Sequence, residues 1–160
     1  MKQAIICDVD GTVALMDFKK RTPYDYIKAD EDKPNQPVID LVLNTAKALE
    51  CYIVFLSARE NVNFSSKRSK YNNAYDLTRD WIHKNVFDRL GSPHPIPGWE
   101  LILREKGDHR KDCYVKYDIY NSQIENRYDV KYVFDDRNQV VDMWRNGLSL
   151  QCMQVADGNF

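Results

Sequence analysis

Asp8 and Asp10 stand two residues apart at the end of a short apolar run, Gln3 to Cys7, and Gly11 and Thr12 follow them. Alternation along a strand sends both carboxylates to one side and turns Val9 into the core. Two acids that close suit a bound cation and a phosphoryl group. The competing reading is a solvated strand-to-turn connection, in which Asp favours the turn and Gly supplies a positive φ. Two further runs end in matching chemistry: Tyr52 to Leu56 leads into Ser57, Ala58 and Arg59, and Lys131 to Phe134 leads into Asp135 and Asp136. Phosphoryl transfer through a carboxylate asks for a nucleophile, an acid for the leaving oxygen, donors to the phosphoryl oxygens and a cation. Asp8 fits the nucleophile, and Asp10 fits an acid that later takes a proton from water. Ser57 and nearby amides fit the donors, and Lys116 fits a balancing charge. Asp8, Asp10 through its backbone carbonyl, Asp135 and Asp136 fit the ligands of a hard cation, most simply Mg²⁺. Without a cation these four acids would repel one another.

Residues so far apart in the chain meet only if parallel strands bring their C-terminal ends to one edge. Five runs read as strands: residues 3–7, 52–56, 99–103, 131–134 and 148–155. Helical spacing lies between them. It begins at Pro37 with Val38, Leu41, Val42, Thr45 and Leu49, recurs over about 73–86 with Ala74, Leu77, Thr78 and Trp81, opens again at Asp112, and carries Val140, Val141 and Trp144 to a stop at Gly147. The alternation predicts an α/β fold, a doubly wound, parallel, five-stranded, Rossmann-like sheet, with residues 1–160 as one domain. Residues 14–36 hold no sustained period and are predicted to form an ordered loop or small flap. Residues 91–98, rich in Pro and Gly, are predicted to form a second loop. A flap this small leaves a site open enough to admit a polymer end.

The 43% hydrophobic content, with ten Tyr and six Phe, suits a globular core. No apolar run is long enough to span a membrane, and no signal segment precedes the first strand. Cys7, Cys51, Cys113 and Cys152 lack CxxC or zinc spacing, which points to reduced thiols in a cytoplasmic setting. His83, His94 and His109 show neither metal nor triad spacing. A formal net charge of −1 argues against a general nucleic-acid coat protein but leaves room for a local basic track. Lys67, Arg68, Lys70 and Arg79 fit such a track or a solvated surface equally well.

DVDGT at 8–12, a strand ending at Ser57, the later Lys116 and the pair Asp135-Asp136 together resemble the haloacid dehalogenase-like phosphatase superfamily. Pro23-Tyr24-Asp25, SARE at 57–60, REKGDHRKD at 104–112, FDDRNQVVDMWR at 134–145 and QVADGNF at 154–160 resemble, over nearly the whole chain, the phosphatase half of phage-type polynucleotide kinase 3'-phosphatases. The resemblance implies a sheet of the haloacid dehalogenase type with a minimal cap, Mg²⁺ dependence and an aspartyl-phosphate intermediate. It implies removal of 3'-phosphates, and in some members 2',3'-cyclic phosphates, from DNA or RNA ends. It makes Asp8 the nucleophile and Asp10 the general acid/base, and sets Ser57, Arg59 and Lys116 around the phosphate. Thr12, Arg21, Arg104 and Asp112 become supporting substrate-binding positions, and Asp135 and Asp136 metal ligands. Arg21 stands further from Asp8 than the family spacing, and Ala58 replaces a residue that is often Gly. On the residues alone, Arg104 and Arg110 also read as a solvated charged turn and Asp112 as a helix N-cap. No GxxxxGK[ST] loop is present, so the chain reads as a phosphatase without the 5'-kinase, either free-standing or excised, with a separate kinase or ligase as partner. For a phage-encoded protein the setting would be the host cytoplasm.

Three functions compete. The first is a Mg²⁺-dependent polynucleotide 3'-phosphatase; the second is the same chemistry on small substrates such as nucleoside monophosphates. The third, a silent module that only recognises phosphorylated ends, would need neither Asp8 nor Asp10.

Overall fold

Alternate residues of the first strand enter two different cores, and that division organises the whole fold. The computed structural model describes residues 1–65, 67–88 and 96–160. The chain runs through β1 (Lys2–Cys7), β2 (Ala14–Leu15), a 3-10 turn over Tyr26–Glu31, β3 (Lys33–Pro34), α1 (Gln36–Ala48) and β4 (Tyr52–Glu60). It continues through α2 (Ala74–Ile82), β5 (Trp99–Arg104), α3 (Asp112–Ile119), β6 (Tyr128–Asp135), α4 (Asn138–Asp142) and β7 (Cys152–Gln154). The last three helices each widen into a π turn, over His83–Phe87, Tyr120–Ile124 and Met143–Gly147.

Five strands form a wholly parallel sheet in the order β5-β4-β1-β6-β7. A parallel sheet is covered on both faces, so its strands must be apolar at every position. Ile5, Cys7, Ile53 and Phe55 face α1 and α2, where Ile39, Val42, Trp81 and Phe87 meet them. Ala4, Ile6, Val54 and Leu56 face α3 and α4, where Val115, Ile119, Val140 and Trp144 meet them. The α/β, doubly wound architecture read from the sequence is the architecture observed. No helix among the described residues is long and apolar enough to cross a membrane.

Register sets the functional edge. Cys7 pairs with Phe55 on one side and with Phe134 on the other, so β1 and β6 end nearly level while β4 runs on past them. The chain leaves β1 toward β4 on one flank and β6 on the other, which makes this edge the topological switch point where open α/β sheets bind ligands.

Three elements differ from their sequence expectation. The strand expected over 148–155 is only Cys152–Gln154. Ahead of it the amides of Leu148 and Leu150 bond back to the carbonyls of Met143 and Trp144, and Ser149 takes φ +55°, so those residues close the helix instead. The second strand runs on to Glu60: Ser57 pairs with Leu103 and Glu60 with Arg104, leaving Ala58 and Arg59 as a bulge that re-aims the strand end. The segment 14–36 is a hairpin, with Ala14 opposite Pro34 and Leu15 opposite Lys33. Strands of two residues carry no readable period. Of the loop expected over 91–98, residues 96–98 are irregular, while 91–95 and His94 lie outside the described residues.

Candidate active site

β1 ends at Cys7, and the chain turns at once: the carbonyl of Val9 accepts from the amides of Thr12, Val13 and Ala14 at 3.3, 3.1 and 2.9 Å. The pleat therefore does not set the directions of Asp8 and Asp10, contrary to the alternation argument, although Val9 is fully buried as that argument expects. The two carboxylates meet adjoining but separate sets of partners.

Asp8 accepts from the Lys116 ammonium at 2.6 Å and from the Thr12 hydroxyl at 3.1 Å. Lys116 also donates to Asp135 at 2.7 Å, and Thr12 reaches Asp136 at 3.4 Å. Asp135 is fixed from behind by the Trp144 indole at 3.3 Å and the Asp136 amide at 3.0 Å. Single carboxylate oxygens of Asp8, Asp135 and Asp136 lie within 4.8 Å of one another, and all three residues are buried. Burial pushes the Asp8 carboxyl well above its usual range, against the pull of Lys116, and Asp135 and Asp136 add to the rise. Burial and the Asp135 charge push Asp136 up to about 6. Burial alone would lower Lys116, but Asp135 and Asp8 outweigh it and hold the ammonium above the ordinary lysine range. Three buried carboxylates thus face one ammonium, an oxygen-only donor set short of positive charge, which suits a hard divalent cation.

The Asp10 carboxylate falls outside that set, so the two carboxylates do not converge on one group of partners, while the part expected of Asp10 toward the cation was that of its backbone carbonyl. Arg59 holds it with two bonds of 2.7 and 2.8 Å, Arg21 adds a third at 3.2 Å, and the Ser57 hydroxyl approaches at 3.4 Å. Burial pushes Asp10 upward, yet Arg59 and Arg21 prevail and hold it below the ordinary carboxylate range. The bulge in β4 delivers Ser57 and Arg59 together, the Arg59 amide donating to the Ser57 oxygen at 3.2 Å. Arg21 reaches in from the flap between β2 and β3.

Two members of this second set escaped the sequence. Asp32 accepts from Arg21 at 2.8 and 2.5 Å and from Arg59 at 3.0 Å. Thr78 of α2 accepts from Arg59 at 3.0 Å. Asp32 closes the acid run Asp30-Glu31-Asp32, which reads as a solvated face, yet it alone of the three is buried. Asp32 caps the 3-10 turn over Tyr26–Glu31, where its amide donates to the carbonyl of the buried Ala29.

Arg104 and Asp112 lie in a brace beside the cluster rather than in it. Arg104 donates to the carbonyls of Asp108 and Arg110 at 3.1 and 3.0 Å and pairs with one oxygen of Asp112, whose other oxygen pairs with Arg137. The brace ties the loop before α3, which carries Lys116, to the turn after β6, which carries Asp136. Arg104 is buried rather than solvated, and Asp112 is the first residue of α3 rather than its N-cap, which is Lys111. Arg137, unnoticed in the sequence, also donates to the carbonyl of Phe160 at 2.7 Å and lies 5.0 Å over that ring. Arg110 stays exposed, paired with Asp108 and Asp118.

Gly11 sits at φ +82°, and a Cβ there would collide with the Asp136 carboxylate. Gly11→Ala should cost at least about 1–2 kcal/mol from the left-handed backbone alone, with a further loss from displacing Asp136. Thermal melting with and without Mg²⁺ would measure it; an unchanged transition would mean that Asp136 yields freely and is not fixed by this turn.

A carboxylate beside an ammonium, a carboxylate cluster fit for a cation, and an acid held by two guanidiniums form one edge suited to phosphoryl transfer. The comparisons with known proteins agree in kind. A family model described as "Polynucleotide kinase PNKP phosphatase domain" matches residues 2–160. A "Putative bifunctional polynucleotide kinase/RNA ligase" of Autographa californica nuclear polyhedrosis virus is 34% identical over 145 residues, 90% of this chain and 18% of that protein. Two solved structures, "Structure of Pnkp1/Rnl/Hen1 complex" and "Structure of the Pnkp1/Rnl/Hen1 RNA repair complex", match with TM-scores of 0.79 and 0.78 at 35% and 36% identity. They cover 100% and 99% of this chain and 47% and 44% of theirs, so this chain spans less than half the length of these relatives. With the fold, the motif order and the family match all pointing one way, the chain belongs to the haloacid dehalogenase-type phosphatase domains of polynucleotide kinases.

Proposed function

We propose that this protein is a Mg²⁺-dependent polynucleotide 3'-phosphatase that works through an aspartyl-phosphate. The observation that carries the proposal is Asp8, buried, held at 2.6 Å by Lys116 and sharing a cation-fit cluster with Asp135 and Asp136. Asp8 attacks phosphorus, the bond from phosphorus to the 3'-oxygen breaks, and Asp10 protonates that oxygen as it leaves. Asp10 then takes a proton from water, which attacks the phosphoryl group and returns Asp8 with release of inorganic phosphate. Arg59, Ser57 and Lys116 hold the phosphoryl oxygens. A substrate phosphate that engages Arg59 competes with Asp10 for the same guanidinium and relieves the charge that keeps Asp10 ionised. Asp8, Asp135 and Asp136 would hold Mg²⁺, which when bound would supply positive charge to the phosphoryl oxygens.

The finer assignments rest on the same reading. The viral relative is named for a polynucleotide kinase joined to an RNA ligase, so we assign this domain to repair of nucleic-acid ends alongside kinase and ligase activities, in the same polypeptide or another. Its four free cysteines, three of them buried, suit a reducing cytoplasm.

The test is Mg²⁺-dependent phosphate release from a 3'-phosphorylated oligonucleotide, a 3'-mononucleotide and a 5'-phosphorylated oligonucleotide at low and moderate salt. The 3'-phosphorylated oligonucleotide should be turned over best, with a rate that falls as salt screens its backbone. Equal or better turnover of the mononucleotide would assign the same chemistry to small substrates instead.

A further inference from the structure

The flap does two opposite things within four residues. The carbonyl of Asp17 accepts from the amides of Lys20 and Arg21 at 2.9 and 3.2 Å, and its side chain accepts from the amide of Lys19 at 3.0 Å. This tight turn drives Arg21 inward until it is 5% exposed, in contact with Asp10. The same turn holds Phe18 outward, 77% exposed. Phe18 is not a stray surface ring. With Leu15, Met16, Asp17, Lys19 and Lys33 it lines a cleft of about 380 Å³, a size within the usual range of small-ligand sites, roughly 300–1,000 Å³. Lys19 and Lys33 form no ion pair among the described residues, whereas Lys20 and Lys28 on the same flap are paired with Glu31 and Asp25.

An exposed ring on a hydrogen-bonded turn, beside two ammonium groups without ion pairs and three residues from Arg21, matches one chemistry. It is the pattern of single-strand recognition, in which an aromatic face stacks on a base and cations follow the phosphates. Three residues of chain span at most about 11 Å, and a stacked strand rises about 3.4 Å per nucleotide, so Phe18 stands within a few nucleotides of the phosphate at the site. The geometry points to the flap cleft as a base-stacking subsite: Phe18 takes the face of a base behind the phosphorylated 3' end, and Lys19 and Lys33 take the phosphates on either side. This inference rests on the 3'-phosphatase reading and assigns its preference for polymers to the flap.

The experiment compares Phe18→Ala with the unaltered protein on 3'-phosphorylated oligonucleotides of one to six residues, in DNA and RNA form. With the unaltered protein, KM should fall as length increases and reach the subsite. Phe18→Ala should raise KM for the longer substrates by roughly 5- to 150-fold, the range of stacking on one base. It should leave kcat, and all constants for the mononucleotide, unchanged. Phe18→Trp should restore the unaltered values, and Tyr24→Ala, which removes an equally exposed ring outside the cleft, should change nothing. Placing an abasic residue at successive positions should reproduce the Phe18→Ala loss at one position only, with no further loss when the two are combined. Equal losses on mononucleotide and oligonucleotide, or no loss on either, would overturn the subsite. So would a loss from Tyr24→Ala equal to that from Phe18→Ala. If the unaltered protein itself prefers the mononucleotide, the 3'-polynucleotide reading falls and takes the subsite with it. If it prefers oligonucleotides while Phe18→Ala is silent, only the subsite falls.

Discussion

Asp8→Asn should lower turnover of a 3'-phosphorylated oligonucleotide by at least about 10⁴-fold, the scale seen when a reacting group is removed from an otherwise intact site, while the protein remains folded. An amide cannot serve as the attacking carboxylate, yet its oxygen still accepts from Lys116 while its NH2 takes the place of the oxygen that faced Thr12, whose hydroxyl can accept from it. The stability effect runs the other way. Asp8 is buried and its carboxyl is pushed upward, so the folded protein holds the charged form at a cost. An acid raised in the folded state weakens the fold once it ionises. Removing that charge also relieves repulsion from Asp135 and Asp136, so the variant should melt at a higher temperature than the unaltered protein when Mg²⁺ is chelated. Added Mg²⁺ should narrow the difference, because the variant has lost one ligand. Full activity in Asp8→Asn would end the aspartyl-phosphate mechanism. Loss of activity together with a lower melting temperature would mean that Asp8 supports the fold through an interaction the amide cannot make.

How much of this was legible in the sequence follows from the length scale of each signal. Asp8, Asp135 and Asp136 stand at the ends of buried strands and Ser57 ends the apolar run of β4, whereas Lys116, inside α3, carries no such signal and is singled out by the family resemblance. An apolar run that stops at a polar residue is visible one letter at a time. The doubly wound sheet was legible for the same reason. Burial on both faces makes Ile5, Ile6, Val54 and Phe55 an unbroken apolar run. The partition of the two aspartates was not legible, because it depends on where β1 stops. β1 stops at Cys7, one residue before Asp8, and the turn at Val9 separates Asp8 from Asp10. Asp32 was hidden by its neighbours, since a run of three acids gives no sign that only one turns inward. Arg104 looked like surface because its partners, two carbonyls and the shared Asp112, belong to a loop that has no sequence period. Arg137 carries no signal of its own, because it follows two conspicuous aspartates and acts sideways, through Asp112 and Phe160.

Lys116 permits the strongest test of whether the three carboxylates form one cation site. Its ammonium lies between Asp8 and Asp135 and is about as buried as they are. Lys116→Met keeps most of the stem volume and deletes the charge, leaving three acids without a counter-cation. Breaking a buried pair by removing one partner typically costs about 3–5 kcal/mol, and that loss should appear in full with EDTA present. Because Asp135 and Asp8 hold the ammonium above the ordinary lysine range, it carries its charge below the unfolded value of about 10.4. Its contribution is lost only as pH rises through the still higher folded value, so the deficit should be constant across neutral pH. A divalent cation placed among the same oxygens restores the missing charge, and a site made more negative binds it more tightly. Mg²⁺ should therefore raise the melting temperature of Lys116→Met by more than it raises that of the unaltered protein, since stabilisation grows with the ratio of ligand to Kd. Turnover should not recover, because the cation cannot donate the hydrogen bond that Lys116 makes to Asp8. An identical Mg²⁺ shift in both proteins would separate the lysine from the metal and assign it to the fold alone. A larger shift without recovered turnover would tie Lys116, Asp8 and the metal into one electrostatic unit.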